Sequence, residues 1–199
     1  MKTCLILGNG PSLNRLPAEV SMPSFGMNFA KMQPTYDCCI DSHILTEHAK
    51  DIYLLVKNAE IAYLSAKHAG NSFLYTDNEN VQLVDKDTGA FHMERFMSGF
   101  TATYVCLKLA YYAGFQEVHL WGVDHSPDWP HYRDDYHADA VNPDNERMRV
   151  MFWHYQLAAM VYARANRRIF NHSNPSALDM VFRRGDIMTA AATLSRPAA

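Results

Sequence analysis

The stretch that decides the fold lies near the start of the chain, where residues 3–12 have the sequence TCLILGNGPS. A run without a charged residue ends at Leu7, and Gly8 and Gly10 follow it directly. A short apolar run that ends at glycine is typical of a strand buried on both faces of a parallel sheet. The turn that comes next, up to Ser12, then lies at the carboxyl end of that strand, where α/β proteins bind ligands.

Strand-like and helix-like segments alternate along the rest of the chain. Strand patterns cover residues 3–7, 24–28, 36–40, 61–64, 117–121 and 167–171, and helix patterns cover residues 43–58, 100–113 and 146–165. Residues 71–88 are ambiguous, with strand-like pieces at 73–75 and 81–84. Strands that alternate with helices need crossover connections. We therefore predict an α/β fold, a three-layer sandwich with a mostly parallel central sheet.

Length and composition indicate one ordinary globular domain. The chain has 199 residues, of which 48% are hydrophobic and 20% charged, and single domains usually hold roughly 100–200 residues. We predict one nucleotide-binding domain over residues 1–193 and a frayed tail over 194–199. The formal net charge of −3 argues against a broad, sequence-independent grip on nucleic acid, which needs many cations to neutralise phosphates.

The sequence predicts a cytoplasmic protein without a membrane span. The apolar run at the N-terminus is too short for a signal peptide, and no later stretch is long enough to cross a bilayer. The four cysteines all lie in apolar segments: Cys4, Cys38, Cys39 and Cys106. Buried free thiols are typical of a reducing compartment.

Four predicted strand ends carry glycine or polar residues: 8–12, Asn28, 41–43 and 122–125. In a parallel sheet these ends lie along one edge, so their coincidence predicts a ligand site there. Asp41 and Asp124, which we expect at neighbouring strand ends, could hold Mg²⁺ together with diphosphate oxygens. Aspartate is equally expected at such positions as a turn former.

The Gly8-Asn9-Gly10-Pro11-Ser12 turn has features of a phosphate-binding loop. Glycine lets the backbone approach a ligand closely, and a turn after a strand can present N–H groups to phosphate. The turn lacks the Gly-Lys-Ser/Thr ending of a P-loop, and Pro11 and Leu13 break the dinucleotide pattern. Taken alone, it is equally compatible with a simple tight turn.

A second anion site is predicted at the start of the helix over residues 100–113. Ser98 and Gly99 come directly before it. Free N–H groups and the helix dipole favour an anion at such a position, and Ser98 is also expected to act as the N-cap.

The opening residues 5–13 resemble those of the small bacterial sialyltransferases built on a single Rossmann-like domain. A related group has the same opening, the DUF115 superfamily of flagellin-glycosylation and archaeal hydroxymethylpterin diphosphokinase-like proteins. Further resemblances follow in the same order over residues 3–180, at 25–29 (FGMNF), 98–99 (SG), 117–124 (EVHLWGVD) and 174–178 (NPSAL). The resemblance implies a Rossmann-like fold.

The resemblance also implies the roles of individual residues. The donor nucleotide would be held by Gly8, Asn9, Gly10, Ser12, Asn28, Ser98, Gly99 and Asp124. The reaction would be carried by an active-site loop at about 125–145, in a metal-independent inverting scheme. Its histidine base would be His137, favoured over His131. Tyr132 and Tyr136 would hydrogen-bond the departing phosphate, with Arg133 as a substitute.

Three functions remain open from the sequence. The first is a glycosyltransferase that moves a sialic acid-like sugar from a CMP-sugar donor to a hydroxyl of a glycan, a protein or a modified base. The second is a magnesium-dependent diphosphokinase acting on a hydroxymethylpterin-like substrate, with the metal at Asp41 and Asp124. The third is a non-catalytic nucleotide-binding regulatory domain. The first needs no cofactor, and a homo-oligomer is compatible with each. The chain departs from the resemblance at His125-Ser126-Pro127, where tyrosines are expected.

Overall fold

The computed structural model describes residues 2–16, 21–68, 73–76, 78–84, 87–92, 95–97, 101–125, 146–174 and 177–185. The strands are β1 (Thr3–Leu7), β2 (Ser24–Met27), β3 (Tyr36–Cys39), β4 (Ile61–Ser65), β5 (Val81–Val84), β6 (Asp87–His92), β7 (Arg95–Met97), β8 (Glu117–Trp121), β9 (Arg168–Asn171) and β10 (Arg183–Arg184). The α-helices are α1 (Ser42–Glu47), α2 (Ala49–Asn58), α3 (Phe73–Thr76), α4 (Ala102–Tyr112) and α5 (Glu146–Arg164). Short 3-10 helices cover Pro11–Arg15, Ala66–His68 and Ala177–Met180.

Eight strands form the central sheet, in the order β10-β9-β8-β1-β2-β3-β4-β5. Every pairing described in it is parallel. The chain first builds outward from β1 to β5 and then returns to place β8, β9 and β10 on the other side of β1. This reversal puts the topological switch point between β1 and β8, which is where ligands bind in open parallel sheets. β6 and β7 form a separate antiparallel hairpin.

The sheet is buried on both faces. Cys4 and Ile6 of β1 belong to the core that α4 and α5 cover, whereas Leu5 and Leu7 pack on the opposite face. On that opposite face, α1 and α2 cover the strands from β3 outward. Successive side chains of a strand point to opposite faces of the sheet, so β1 contributes residues to the cores on both sides. The predicted α/β, Rossmann-like three-layer sandwich is confirmed, with an all-parallel main sheet in place of a mostly parallel one.

Two segments differ from their predicted form. Residues 43–58 form two helices, not one, because His48 leaves the helical region with φ −114° and ψ 20° between α1 and α2. The apolar piece at 73–75 lies in the short helix α3 and not in a strand. A three-residue apolar run has no periodicity that could separate the two forms.

Helix α4 begins later than predicted. Its N-cap is Thr101, whose side chain accepts a hydrogen bond from Thr103 N. The expectation that Ser98 caps this helix is therefore wrong, because a threonine three residues further on satisfies the first free N–H. At the other end Gly114 has φ +82°, the left-handed conformation in which glycine ends a helix.

All four cysteines are free and buried, as predicted. Burial raises the pKa of the Cys4 and Cys39 thiols. A hydrogen bond with Cys106, together with burial, raises the pKa of Cys38. Among the described helices, none combines the length and the apolarity that a membrane span requires.

A buried carboxyl group lies in the middle of the sheet. Asp37 of β3 pairs with Gly26 and Ala62 on the neighbouring strands and is fully buried. In the described part of the chain no side chain hydrogen-bonds to either carboxyl oxygen, and the backbone of Cys38 opposes the effect of burial on the pKa of Asp37 only in part. Burial raises the pKa of Asp37 to about 8, so the group carries its proton at neutral pH.

This carboxyl group should make stability fall with rising pH. An unfolded chain releases the Asp37 proton near pH 4, whereas the folded chain keeps it to about pH 8. The folded state therefore binds more protons in that window, and the free energy of unfolding decreases from pH 4 to pH 8. We expect Asp37→Asn to be more stable than the wild type at pH 8 and about equal to it near pH 4. Urea unfolding at both pH values measures this difference. The exposed Asp51→Asn is the control; the same pH dependence in both variants would contradict the assignment.

Candidate functional site

The loops at the switch point are joined directly to each other. Beyond the end of β1, Gly8 N donates to Trp121 O at 2.7 Å and Gly10 N donates to Gly122 O at 2.7 Å. These two bonds continue the pairing of β1 with β8 into the turn. Both N–H groups therefore donate hydrogen bonds within the protein. They are not available to a phosphate, although the glycine pattern had indicated that they could be.

The two glycines are needed for contact between these loops. A Cβ on Gly8 would lie 2.2 Å from Gly122 O, and a Cβ on Gly10 would lie 2.1 Å from Asp124 Oδ2. Real Cβ atoms do not approach oxygen so closely. Glycine at both positions therefore allows β8 to lie against the β1 turn. The glycines thus serve a close approach within the protein, and the role that the resemblance implies for them, holding the donor nucleotide, stays a prediction.

Asp124 joins three loops through one carboxylate. Its Oδ2 accepts a hydrogen bond from Ser12 N at 2.9 Å, and its Oδ1 accepts one from Asn174 N at 2.6 Å. Ser12 follows β1, Asp124 follows β8 and Asn174 follows β9. The residue is 5% exposed, and each carboxylate oxygen is engaged by a backbone donor. Asp124 is therefore positioned to hold the edge together.

Ser12 is also part of this internal connection. Its hydroxyl oxygen accepts from Gly122 N at 3.1 Å, and its carbonyl accepts from Trp121 Nε1 at 2.9 Å. One step further along, Val123 N donates to Ser173 Oγ at 2.8 Å. Ser12 is buried, so its side chain supports the turn from inside.

Two asparagines at the same edge differ from Ser12 and Asp124, because each has a side-chain oxygen without a described hydrogen-bond partner. Asn9 Nδ2 donates to Met27 O at 3.1 Å, which orients the side chain across the ends of β1 and β2. Asn28 has φ +54°, a left-handed conformation that asparagine tolerates, and its N–H donates to Cys38 O. Within the described residues, neither Asn9 Oδ1 nor Asn28 Oδ1 accepts a hydrogen bond, although both atoms are buried. These two oxygens are buried acceptors without a hydrogen bond in the described part of the chain.

A histidine that follows β8 contacts a tyrosine of α5. His125 Nε2 is 2.7 Å from Tyr155 Oη, and Tyr155 Oη is 3.4 Å from Thr101 Oγ1, at the N-cap of α4. Desolvation lowers the pKa of His125 to about 4, and the charge of Asp124 opposes that shift only in part. His125 is therefore neutral at pH 7, with one ring nitrogen protonated. Burial raises the pKa of Tyr155, so this hydroxyl keeps its proton.

The predicted pair of metal-binding aspartates is not brought together. Asp41 follows β3 and Asp124 follows β8, and β1 and β2 lie between them in the sheet. Three strand spacings separate the two ends by about 14 Å. Asp41 caps α1 by accepting from His43 N. The two strand ends are thus not neighbours, and these carboxylates do not fit a shared Mg²⁺ ion.

Several predicted site residues lie outside the described residues. They are Ser98, Gly99, His131, Tyr132, Arg133, Tyr136 and His137. Their predicted roles stay predictions. Within the described ranges, no three His, Cys, Asp or Glu side chains form a group that could hold a metal ion.

The sequence interpretation missed the contribution of Tyr155. The helical stripe of α5 indicates that Tyr155 is a core residue, and it is indeed buried. A tyrosine hydroxyl in a core needs a polar partner, however, and this one finds it at the carboxyl edge in His125. The signal available in the sequence was a tyrosine in an apolar stripe on the helix that follows the predicted active-site loop at about 125–145.

Solved structures with a similar fold are sialyltransferases. CstII from Campylobacter jejuni in complex with the substrate analogue CMP-3FNeuAc aligns with a TM-score of 0.56 and 15% identity, over 94% of this chain and 87% of that chain. The sialyltransferase CST-II with a trisaccharide acceptor and CMP aligns with a TM-score of 0.59 and 13% identity, over 93% and 86%. The monofunctional α-2,3-sialyltransferase Cst-I from Campylobacter jejuni gives 0.54 and 15%, over 94% and 81%.

These similarities concern the fold. No family model matches the chain. No curated protein is similar to it in sequence. The structural alignments extend over more than nine-tenths of the chain, so the similarity covers the whole α/β sandwich.

The close approach of the glycine turn to Asp124 can be tested with two alanine variants. Gly10→Ala must displace the Asp124 carboxylate, and its loss of charged hydrogen bonds should cost about 3 kcal/mol or more. The control Gly114→Ala has no atom within 4 Å of its new Cβ, and its positive φ alone should cost about 1–2 kcal/mol. Urea unfolding at pH 7 measures both. Equal losses for the two variants would contradict the close approach.

Proposed function

We propose that this protein is a glycosyltransferase that takes a sialic acid-like sugar from a CMP-sugar donor. The observation that carries the proposal is its fold likeness to sialyltransferases that were solved with CMP, a CMP-sugar analogue and a trisaccharide acceptor. The second support is chemical. Asn9 and Asn28 place amide oxygens without a described hydrogen bond at the switch point, where nucleotides bind in such sheets.

The donor nucleotide binds, in this proposal, against Asn9 and Asn28. A buried carbonyl oxygen without a hydrogen bond costs about 1–3 kcal/mol, and a ligand that donates to it recovers this free energy. Cytidine monophosphate offers suitable donors in its exocyclic amine and its ribose hydroxyls. Gly8, Gly10 and Ser12 act indirectly, because they fix the turn that presents Asn9.

Asp124 takes the same indirect role. Its two carboxylate oxygens hold Ser12 and Asn174, so it positions the turn and the final loop around the nucleotide. Ser98 and Gly99 stay in the proposal as the phosphate side of the site. They come just before Thr101 and α4, whose N-terminus favours an anion.

The transfer step follows the inverting scheme. The acceptor hydroxyl oxygen forms a bond to the anomeric carbon while the bond from that carbon to the CMP phosphate oxygen breaks. His137 takes the proton of the acceptor hydroxyl, and Tyr132 and Tyr136 donate hydrogen bonds to the departing phosphate. Histidine suits the base role because its ordinary pKa lies near neutrality. The scheme uses no metal ion.

The acceptor is a hydroxyl on a glycan, a protein or a modified base. In the sequence, His125 directly precedes the residues that would carry the base. Being neutral at pH 7, it can accept or donate one hydrogen bond without bringing a charge near the donor phosphate.

Nucleotide binding is the first test. We expect CMP, in the presence of EDTA, to raise the melting temperature, because a ligand at a hundred times its Kd adds about 2.7 kcal/mol to stability. UMP, AMP and ATP should raise it less. Asn28→Gly keeps the left-handed backbone and removes the amide, and Asn9→Ala removes the second oxygen. Both should abolish most of the CMP-induced shift.

The control for these variants is Asn166→Gly. Asn166 has the same backbone conformation, with φ +56°, but follows α5 at an exposed position. It should change the melting temperature without changing the shift that CMP produces. An unaltered CMP shift in Asn28→Gly and Asn9→Ala would contradict this binding site. A chain that no nucleotide stabilises would overturn the proposed function.

The base can be identified from the pH dependence of transfer. We expect His137→Ala to abolish sugar transfer while CMP still raises the melting temperature. His131→Ala should retain activity. In the wild type, a base with an ordinary histidine pKa gives a kcat/KM that falls below about pH 6.5. A base with the pKa of His125 would keep the rate constant down to about pH 4. That second profile, or full activity in His137→Ala, would rule out His137.

A further inference from the structure

The outward face of α5 has an unusual composition. Its exposed residues recur at helical spacing and are Arg149, Trp153, Gln156, Met160, Ala163 and Arg164. Trp153 is 58% exposed and Met160 is 52% exposed. They lie seven residues apart, two helical turns, and so share one stripe. The core stripe of the same helix, with Tyr155 and Tyr162, faces the sheet and cannot account for them. We call this outward face the α5 face.

The charges along α5 and the residues after it are predominantly positive, with Glu146, the first residue of α5, as the one acidic residue of the helix. Residues 147–178 contain five arginines and no aspartate or glutamate, in a chain that has 21 acidic residues. The exposed side of α2 shows the ordinary pattern, with Lys50, Asp51 and Lys57 together. A helix face meant only for water normally mixes both signs. The α5 face is therefore basic and apolar at once.

Two arginines of the α5 face are available for a partner. Within the described residues, Arg149 and Arg164 make no hydrogen bond or ion pair. Arg167 and Arg168, which follow the helix, are engaged differently. Arg167 donates to Tyr111 O, and Arg168 pairs with Glu117 at 2.7 Å. The free cations thus flank Trp153 and Met160, one toward each end of the stripe.

We propose that the α5 face docks on an anionic lipid membrane surface. Tryptophan has an apolar body and an N–H, which suits the boundary between acyl chains and headgroups, and Met160 adds a second apolar contact. Arginine side chains beside them reach anionic headgroups. A helix that presents both features on one side lies flat on such a surface. This inference does not depend on the proposed function.

A second copy of the chain fits the same face poorly. In an antiparallel two-fold contact, α5 would lie along α5 of the other copy, and Arg149 would stand next to Arg164 of that copy. Like charges at such a contact are unfavourable. Nucleic acid also fits less well, because a phosphate grip needs many cations. The α5 face instead offers two free arginines around two apolar side chains.

Vesicle binding tests this surface with the full chain. The probes are phosphatidylcholine vesicles with and without a fraction of phosphatidylglycerol, and the bound fraction is measured by co-sedimentation. We expect binding only to the anionic vesicles, and its loss at high salt. Each of Arg149→Gln and Arg164→Gln should weaken the partition coefficient about fivefold. The double variant Trp153→Ser/Met160→Ser should abolish binding.

The matched control is Leu54→Ser, which removes an apolar side chain of similar exposure, 64%, from α2. It should leave vesicle binding unchanged.

All the variants lie on exposed positions, and each should keep the CMP-induced shift in melting temperature if the nucleotide site exists. A failure to bind CMP therefore says nothing against the membrane surface. Membrane docking is overturned by equal binding of neutral and anionic vesicles, or by binding that survives the double variant. It is equally overturned if the wild type does not bind anionic vesicles; a dimer or an RNA complex that Trp153→Ser abolishes would then identify the other occupant of the α5 face.

Discussion

Three neighbouring strand ends at the carboxyl edge of the sheet depend on the carboxylate of Asp124. A buried charge is costly unless hydrogen bonds replace its hydration, and here backbone donors from Ser12 and Asn174 do so. Because those donors follow β1 and β9, one side chain after β8 fixes three neighbouring strand ends. The glycines at positions 8 and 10 are the steric condition for this arrangement, since any side chain there would occupy the space that the β8 loop needs.

Much of the fold was accessible from sequence because the strands are buried on both faces. Such strands are short apolar runs with glycine or polar residues at their ends, and β1 and β8 were predicted with their observed bounds. The two wrong helix predictions, a single helix over 43–58 and an N-cap at Ser98, have local causes. His48 interrupts a continuous apolar periodicity, and Thr101 caps α4 in preference to Ser98. Both choices depend on backbone geometry that an apolar pattern does not encode.

The candidate site was predictable as a place and less so as a set of roles. Polar strand ends meet at one edge in any parallel sheet, so Asn9 and Asn28 were found correctly as edge residues. Sequence does not give strand order, and that order separates Asp41 from Asp124. Sequence also does not say what a glycine makes room for. Gly8 and Gly10 make room for the protein itself. The buried acceptors without a described hydrogen bond are on Asn9, within the turn, and Asn28, after β2.

The buried thiols can report which part of the fold opens first. Only a thiolate reacts with an alkylating or disulfide reagent, and the thiols in β1 and β3 are both hidden from solvent and hard to ionise. A reagent can therefore reach them only when the strands part. Cys4 lies in the centre of the sheet, whereas Cys39 lies toward the α1 and α2 side. The order in which the cysteines are modified would show which part of the sandwich opens first, and no cysteine has to be introduced for the measurement.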